Sequence, residues 1–202
     1  MKRGTMYIET IRIQNGRVRN IRYHNARCNR TRQEVYGIER ALDLRTFIVC
    51  PIGLRKGLTK CRITYAEEVL KVEYEPYEVK VIKSLQLVAA DHICYAYKSA
   101  DRTALAELYR HKGEADDILM VKKGLLTDSF YANVGLLKNG LWYTPRSPML
   151  AGTMRAQLLA QHRVIPCDIS VENLSDYEEV TIFNAMIPFG VIKLAISSIA
   201  TF

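Results

Sequence analysis

Hydrophobic and polar residues alternate in several short segments in the first half of the chain. Met6–Ile13 alternates and is rich in β-branched residues, which predicts a strand. Asn15-Gly16 is a strong hairpin signal, and Arg17–Ile21 can return as the partner strand. Two further stretches are β-prone, 60–74 and 78–90, and within the second Val79–Val88 alternates most clearly. The first half is therefore predicted to be built on antiparallel strands.

Longer segments without glycine or proline predict helices. Tyr23–Tyr36 has no helix breaker until Gly37 and carries many polar groups for its length. Thr103–Lys112 is a second predicted helix that stops at Gly113, and Thr153–Gln161 is a third. Further strands are predicted at Asp117–Val121, Asn133–Leu137, Leu141–Thr144, Glu179–Phe183 and Val191–Ala195. This mixture of helices and antiparallel strands predicts an α+β fold.

The most natural division of the chain lies near residues 92–100. Asp91–Tyr97 is an apolar, aromatic segment that leads into Lys98. We expect a small N-terminal α+β lobe over residues 1–95 and a larger C-terminal lobe over residues 96–202. A cleft between two such lobes is a normal place for a ligand.

Basic residues outnumber acidic ones, and the formal net charge of the 202 residues is +8. Much of the excess lies early in the chain, at Arg12, Arg17, Arg19, Arg22, Arg27, Arg30 and Arg32. Such a cluster is either a solvated basic face or an anion-binding region, for nucleic acid or for small acidic substrates. A non-catalytic module that binds nucleic acid through residues 12–32 is one alternative, but only Tyr23 and Tyr36 supply aromatic rings nearby, and no nucleic-acid-binding motif is present.

The cysteines and the first residues point to a reducing compartment. The five cysteines include no CxxC pair, and the four histidines lack metal-ligand spacing, so we expect free thiols and no metal site. Met1-Lys2-Arg3 is not followed by an apolar core, so no signal peptide is expected. No apolar run is long enough to span a bilayer, and the predicted location is the cytoplasm.

The segment from Thr127 to Arg155 carries the most specific pattern in the chain. Asp128 is followed five positions later by Asn133, then by a hairpin that ends in Thr144-Pro145, and then by Gly152-Thr-Met-Arg155 at a helix start. Three other segments accompany it in order along the chain: Glu9-Thr-Ile-Arg12, His24-Asn-Ala-Arg27 and Tyr97-Lys-Ser-Ala-Asp-Arg102. Together these motifs cover nearly the whole chain.

In this order the motifs resemble those of the class IV aminotransferase and aminodeoxychorismate lyase family. The resemblance implies a two-lobed fold-type IV architecture, similar to D-amino-acid aminotransferase, with pyridoxal 5'-phosphate (PLP) between the lobes. It also implies a homodimer that acts on a small anionic amino substrate. A family member that has lost its activity is a further alternative, against which the presence of Lys98 argues.

Lys98 matches the lysine that the family bonds covalently to its cofactor, and it would then serve as the catalytic base. A lysine used in this way must lose its proton, which burial and nearby positive charge favour. Asp128 matches the acidic residue that faces the pyridine nitrogen, where the family usually has glutamate. Taken alone, Lys98 would be a solvated lysine at a strand end and Asp128 an ordinary turn residue.

The remaining matches concern the cofactor phosphate and the loop beside it. Gly152, Thr153 and Met154 would present backbone N–H groups at a helix start. Arg27 would add a charge-assisted contact. Asn133 is expected to order the loop near the cofactor.

The segment Phe183-Asn-Ala-Met-Ile-Pro188 resembles the late motif of 4-amino-4-deoxychorismate lyases, which makes Asn184 a candidate substrate residue. The preferred function is therefore the conversion of 4-amino-4-deoxychorismate to 4-aminobenzoate and pyruvate, a step of folate biosynthesis. The alternative within the family is an aminotransferase for branched-chain or D-amino acids.

Overall fold

A computed structural model of the chain describes residues 4–201. Contacts divide these residues into two compact units. The first unit comprises the described residues up to Val79 together with Tyr97–Asp101, and the second comprises Lys80–Ala96 and the described residues from Arg102 onward. A short segment around Lys98 therefore belongs to the same unit as the first strand of the chain.

The first unit is a small antiparallel sheet with one long helix. Its elements are β1 (Tyr7–Gln14), β2 (Arg17–Val18), α1 (Ile21–Tyr36), β3 (Leu58–Tyr65) and β4 (Val69–Pro76), with short 3-10 helices at Leu44–Phe47 and Ile52–Leu54. The described strands of this unit are ordered β2-β1-β3-β4, and all pairs are antiparallel. Asn15 and Gly16 both have positive φ, as a tight hairpin turn requires, so the predicted first strand and its turn are confirmed. The return strand is shorter than the predicted Arg17–Ile21, because it ends at Val18 and Ile21 already begins α1.

Helix α1 presents polar groups to the interior. It ends where Gly37 adopts the left-handed conformation and caps the last carbonyls. Its buried residues follow helical spacing and are His24, Arg27, Cys28, Thr31 and Arg32. Two of the arginines that suggested a basic surface, Arg27 and Arg32, are thus buried.

Arg32 is fully buried and connects α1 to two loops. Its Nε donates to the carbonyl oxygen of Glu67 at 2.8 Å, and its Nη1 donates to that of Arg40 at 2.7 Å. Nη1 also lies 3.2 Å from Asn29 Oδ1. The planar guanidinium reaches all of these acceptors at once, which a lysine ammonium on a flexible stem does less well.

The second unit is larger and mostly β-structure. Its elements are β5 (Leu85–Ala89), α2 (Thr103–Tyr109), β6 (Asp117–Lys122), β7 (Leu125–Ser129), β8 (Asn133–Lys138), β9 (Leu141–Pro145), α3 (Thr153–Ala160), β10 (Ile165–Cys167), β11 (Glu179–Phe183), β12 (Ile192–Ala195) and β13 (Ile199–Ala200). The described residues form a nine-stranded sheet with the path β10-β9-β8-β7-β6-β5-β13, and β11 pairs with both β8 and β12. The sheet is mixed, because β5 runs parallel to β6 and β13, and β10 runs parallel to β9.

One predicted strand is shorter than expected. Val79–Val88 alternates along its length, but β5 begins only at Leu85, and residues 79–84 have no regular structure. Alternation shows that side chains can point to opposite faces, whereas a strand also needs a partner for its backbone hydrogen bonds. The α+β class and the three predicted helices are confirmed, the second helix passing into a 3-10 turn at Arg110–Lys112. None of the helices between residues 4 and 201 has the length and apolar character needed to cross a membrane.

We expect Arg32→Lys to lower the free energy of unfolding by about 2 kcal/mol, because charge-assisted hydrogen bonds to buried carbonyls are lost. Urea denaturation measures this loss. Arg30→Lys is the matched control, since Arg30 lies on the same helix but is exposed, and it should change stability by less than about 0.5 kcal/mol. Equal effects of the two substitutions would contradict a structural role for the buried guanidinium.

Candidate active site

Glu9 lies on the buried face of β1. Side chains of a strand point alternately to opposite faces, so Glu9 shares its face with Tyr7, Ile11 and Ile13. All of these side chains are buried, and Glu9 itself has 0% exposure. A carboxylate at such a position is costly unless charged or hydrogen-bonding partners surround it.

Those partners come from one face of α1. Arg27 Nε donates to Glu9 Oε1 at 2.8 Å, and Arg27 Nη2 donates to Glu9 Oε2 at 2.7 Å. His24 Nδ1 lies 2.6 Å from the same Oε2. His24 and Arg27 are three residues apart, so both side chains leave the helix on the side that faces β1. The result is a buried cluster of Glu9, His24 and Arg27.

The cluster sets the charge of each member. Burial raises the pKa of Glu9, but the Arg27 charge and the hydrogen bonds from Arg27 and His24 outweigh it and hold that pKa at about 2. Burial lowers the pKa of His24 against the opposing effect of Glu9, and the charges of Arg27 and Lys98 lower it further. His24 is therefore neutral at pH 7, and it donates the proton on Nδ1 to an ionised Glu9.

Lys98 lies on a segment that pairs with the start of β1. Ile8 N donates to Lys98 O at 2.9 Å, and Ala100 N donates to Met6 O at 2.8 Å. Ser99 forms an antiparallel bridge with Tyr7. The lysine is half-buried, and its charge acts on His24. The first unit thus brings Lys98 together with the cluster of Glu9, His24 and Arg27.

Asp128 is the centre of a second buried group, in the second unit. Its Oδ1 accepts from Asn133 Nδ2 at 2.7 Å, and its Oδ2 accepts from the backbone N–H of Leu150 at 2.9 Å. Asn133 Nδ2 also donates to Leu150 O at 2.9 Å. Burial raises the pKa of Asp128 to about 6, although these hydrogen bonds and the charge of Arg155 oppose the rise. Asp128 and Asn133 therefore hold the segment that precedes α3.

Gly152 caps the start of α3 in close contact with Asn133. A Cβ added to Gly152 would overlap Asn133 Oδ1, so only glycine leaves room for that amide. Thr153 is buried in the first turn, and Met154 packs partly against a small apolar cluster around Leu158. The second unit thus assembles Asp128, Asn133 and the helix start at Gly152–Met154.

Arg155, on α3, belongs to the same buried group as Asp128. It is buried, and its Nη2 donates to Pro145 O at 2.8 Å. Its charge acts on Asp128, as noted above. The arginine of the Gly-x-x-Arg pattern therefore joins the end of β9 to the helix start.

Asn184 orders a turn in the second unit. Its Oδ1 accepts from the backbone N–H groups of Met186 and Ile187, and its Nδ2 donates to Tyr131 O at 3.2 Å. Both ends of the amide are engaged within the protein. The side chain shapes the turn that follows β11.

Sequence reasoning did not single out Glu9 and His24 as members of a site, although both lie in matched motifs. The signal was present for Glu9, because a carboxylate on the apolar face of an alternating strand implies a buried partner. His24 offered a weaker signal, as a histidine three residues before an arginine on a predicted helix.

The chain matches the family described as amino-transferase class IV over residues 56–194. A protein of Haemophilus influenzae, named only as uncharacterized, is 34% identical over 180 residues, which is 88% of this chain and 96% of that protein. This chain therefore belongs to the class IV aminotransferase family, whose members are PLP-dependent enzymes.

Solved structures show the same fold along nearly the whole chain. A protein of Haemophilus somnus, provisionally described as a 4-amino-4-deoxychorismate lyase, is 35% identical with a TM-score of 0.85, and the match covers 93% of this chain and 100% of that one. A hypothetical aminotransferase from Mycobacterium tuberculosis in its PLP-bound form has a TM-score of 0.76 at 15% identity, over 95% of this chain and 81% of that one. The family, the fold class and a PLP-dependent enzyme, all expected from the sequence, are confirmed.

We expect Gly152→Ala to lower the free energy of unfolding by about 2 kcal/mol, because the new methyl group displaces the Asn133 amide from a well-packed site. Calorimetry or urea denaturation measures the loss. Gly53→Ala is the matched control: Gly53 has no positive φ and no neighbour within 4 Å of an added Cβ, so its stability should not fall.

The same overlap predicts that the two positions are coupled. In the background of Asn133→Ala the overlap is absent, so adding Gly152→Ala should cost much less than it does in the wild type. Additive losses would show that the amide does not limit the size of residue 152.

We expect the stability of the protein to depend on the protonation of Asp128. Its pKa is raised from 3.8 to about 6, so the folded protein binds this proton more tightly than the unfolded chain does. The carboxyl group therefore stabilises the fold as the pH falls from about 6 to about 4, and this gain is lost as the pH rises through 6. Asp128→Asn should flatten that part of the profile, measured as urea midpoints between pH 4 and pH 7.

The control for this profile is Asp43→Asn. Asp43 is exposed, and the hydrogen bond from Asn25 lowers its pKa. Its titration therefore affects stability at a lower pH than that of Asp128, and Asp43→Asn should leave the slope of the stability profile between pH 4 and pH 7 unchanged. Asp117, whose pKa burial also raises to about 6, should preserve part of the slope in both variants. A slope in Asp128→Asn equal to that of the wild type would contradict the assignment.

Proposed function

We propose that this chain is a PLP-dependent lyase that converts 4-amino-4-deoxychorismate to 4-aminobenzoate and pyruvate. The observation that carries the proposal is the similarity, at 35% identity and over nearly the whole of both chains, to the Haemophilus somnus protein provisionally described as such a lyase. The alternative outcome is transamination, which is favoured by the description of the family itself.

The residues present fit the cofactor. PLP needs an amine for its aldehyde, an acid for its ring nitrogen and cationic or N–H groups for its phosphate. Lys98 would supply the amine, Asp128 the acid, and Arg27 the cation. The burial of Asp128 and Arg27 suits groups that bind a ligand away from bulk water.

Lys98 would act as the general base. Lys98 is half-buried and lies near the cluster of Glu9, His24 and Arg27, since its charge acts on His24. The neutral Nζ would remove the proton from the ring carbon that bears the substrate amine. PLP, when bound, supplies an electron sink for the negative charge left by that proton. Loss of the enolpyruvyl group as pyruvate, with a proton returned to it, leaves the aromatic ring of 4-aminobenzoate.

Asp128 would hold the protonated ring nitrogen of the cofactor. With a pKa of about 6 it is mainly ionised at pH 7, as such a pairing requires. Its Oδ1 accepts from Asn133 and its Oδ2 accepts from the Leu150 N–H. Asn133 would keep the carboxylate in place while it makes this contact.

The phosphate would be held by backbone and side-chain donors. The start of α3 offers the N–H groups of Thr153 and Met154 after the Gly152 cap, where the helix dipole favours an anion. Arg27 would add a charge-assisted hydrogen bond. Because Asn184 is engaged in its own turn, we propose that it serves substrate recognition by shaping Phe183–Pro188.

The first test is an absorbance spectrum of the purified protein with PLP, recorded for the wild type and Lys98→Ala. We expect a visible band in the wild type that differs from that of the free cofactor, is removed by borohydride and is absent from the variant. Lys122→Ala is the matched control, because Lys122 lies in the second unit and donates to a backbone carbonyl, and it should keep the band. A wild-type protein without the band at saturating PLP would sink the proposal.

Product assays separate the two outcomes. The lyase proposal expects 4-aminobenzoate and pyruvate in equal amounts from 4-amino-4-deoxychorismate, and no activity in Lys98→Ala. Transfer of amino groups from branched-chain or D-amino acids to a keto acid, without 4-aminobenzoate release, would support the alternative.

The wider setting of the enzyme is part of the same proposal. A lyase that forms 4-aminobenzoate would serve folate biosynthesis in the cytoplasm. We also propose that it works as a homodimer, in keeping with the family, which sedimentation of the purified protein would test.

A further inference from the structure

Arg27 is held on one edge by a carboxylate that has no contact with solvent. Its Nε and Nη2 donate to the two oxygens of Glu9, a paired arrangement that fixes both the position and the plane of the guanidinium. Since these two nitrogens share one edge, Nη1 lies on the edge away from Glu9. Arg27 keeps 7% exposure, whereas Glu9 and His24 have none. Arg27 is thus the member of the cluster that keeps some contact with solvent.

We propose that Glu9 is a positioning residue for the cofactor phosphate, which acts through Arg27 and never touches the ligand. The proposal rests on the proposed function, in which Arg27 binds that phosphate. A free arginine side chain samples many rotamers, and fixing one of them before binding removes that entropy cost from the binding step. Glu9 would hold Arg27 in this one rotamer before the phosphate binds.

His24 helps to hold the Glu9 carboxylate in place. Its Nδ1 lies against the same oxygen, Glu9 Oε2, that accepts from Arg27 Nη2. A second donor at this oxygen prevents the Glu9 carboxylate from rotating about its Cγ–Cδ bond. The orientation of the Arg27 guanidinium is therefore held as well. Neutral His24 adds no charge that would compete with Arg27 for an anion.

A purely structural role would have a different signature. In that case Glu9, His24 and Arg27 would only join β1 to α1, and a substitution at Glu9 would lower stability without affecting one ligand more than another. The two roles are separated by comparing PLP with pyridoxal, because pyridoxal carries the same ring and aldehyde but no phosphate.

The experiment measures the dissociation constants of PLP and of pyridoxal for the wild type, Glu9→Gln, Glu9→Asp and Arg32→Lys, together with their melting temperatures. The readout is the ratio of the pyridoxal constant to the PLP constant. Glu9→Gln places an amide N–H against an N–H of Arg27, which turns the guanidinium away. We expect the ratio to fall about tenfold, the loss typical of a disrupted charge-assisted hydrogen bond, with pyridoxal binding unchanged.

Arg32→Lys is the matched control, because it weakens another buried contact of α1 that is distant in sequence from the Glu9 motif. It should lower the melting temperature and keep the wild-type ratio. If Glu9→Gln does not fold, Glu9→Asp decides the question: the charge is kept but the carboxylate is one methylene further back, and the ratio should still fall. A folded Glu9 variant with the wild-type ratio overturns the inference.

The failure of this inference is distinct from the failure of the proposed function. A Lys98-dependent band in the wild type, together with an unchanged ratio in the Glu9 variants, leaves the function intact and removes only the role of Glu9. A wild-type protein with no such band removes both.

Discussion

The ion pair between Glu9 and Arg27 is the constraint on which the first unit depends. A carboxylate buried between a sheet and a helix is tolerated only when a cation and further donors surround it. That requirement sets the rotation of α1, because His24 and Arg27 must both face β1. The same strand then supplies the backbone groups that pair with the Lys98 segment. One buried charge thus fixes a strand, a helix and the segment that carries Lys98.

The second unit also contains a buried carboxylate, that of Asp128, but different groups stabilise it. Asp128 accepts hydrogen bonds from an amide side chain and a backbone N–H, and Arg155 acts on it through its charge and not through a bidentate pair. Because neutral donors compensate burial less well than a paired cation, its pKa rises whereas that of Glu9 falls. The two carboxylates are therefore suited to different roles. Glu9 keeps a permanent charge that holds another side chain, whereas the charge of Asp128 is one that a protonated ligand would stabilise.

The regular elements could be predicted wherever local signals were complete. β1 and its hairpin followed from alternation and Asn15-Gly16, and α1 from a run without breakers up to Gly37. Residues 79–84 could not be assigned correctly, because alternation says nothing about backbone partners. β7 went unpredicted since its second half, Thr127–Ser129, is polar although buried. The candidate residues came from the order of motifs along the chain, whereas the contacts of Glu9 and Gly152 depend on packing between segments far apart in sequence.

The pairing of Met6–Ile8 with Lys98–Ala100 has a consequence for how the chain is made. These partners lie roughly 90 residues apart, so the contact closes a long loop and is slow to form compared with a hairpin. On the ribosome, β1, α1, β3 and β4 emerge well before the segment that completes their sheet edge. Until then the backbone of Met6 and Ile8 is an open edge, a site where another nascent strand can add. Pairing with Lys98–Ala100 therefore closes an edge that stays open until those residues have been synthesised.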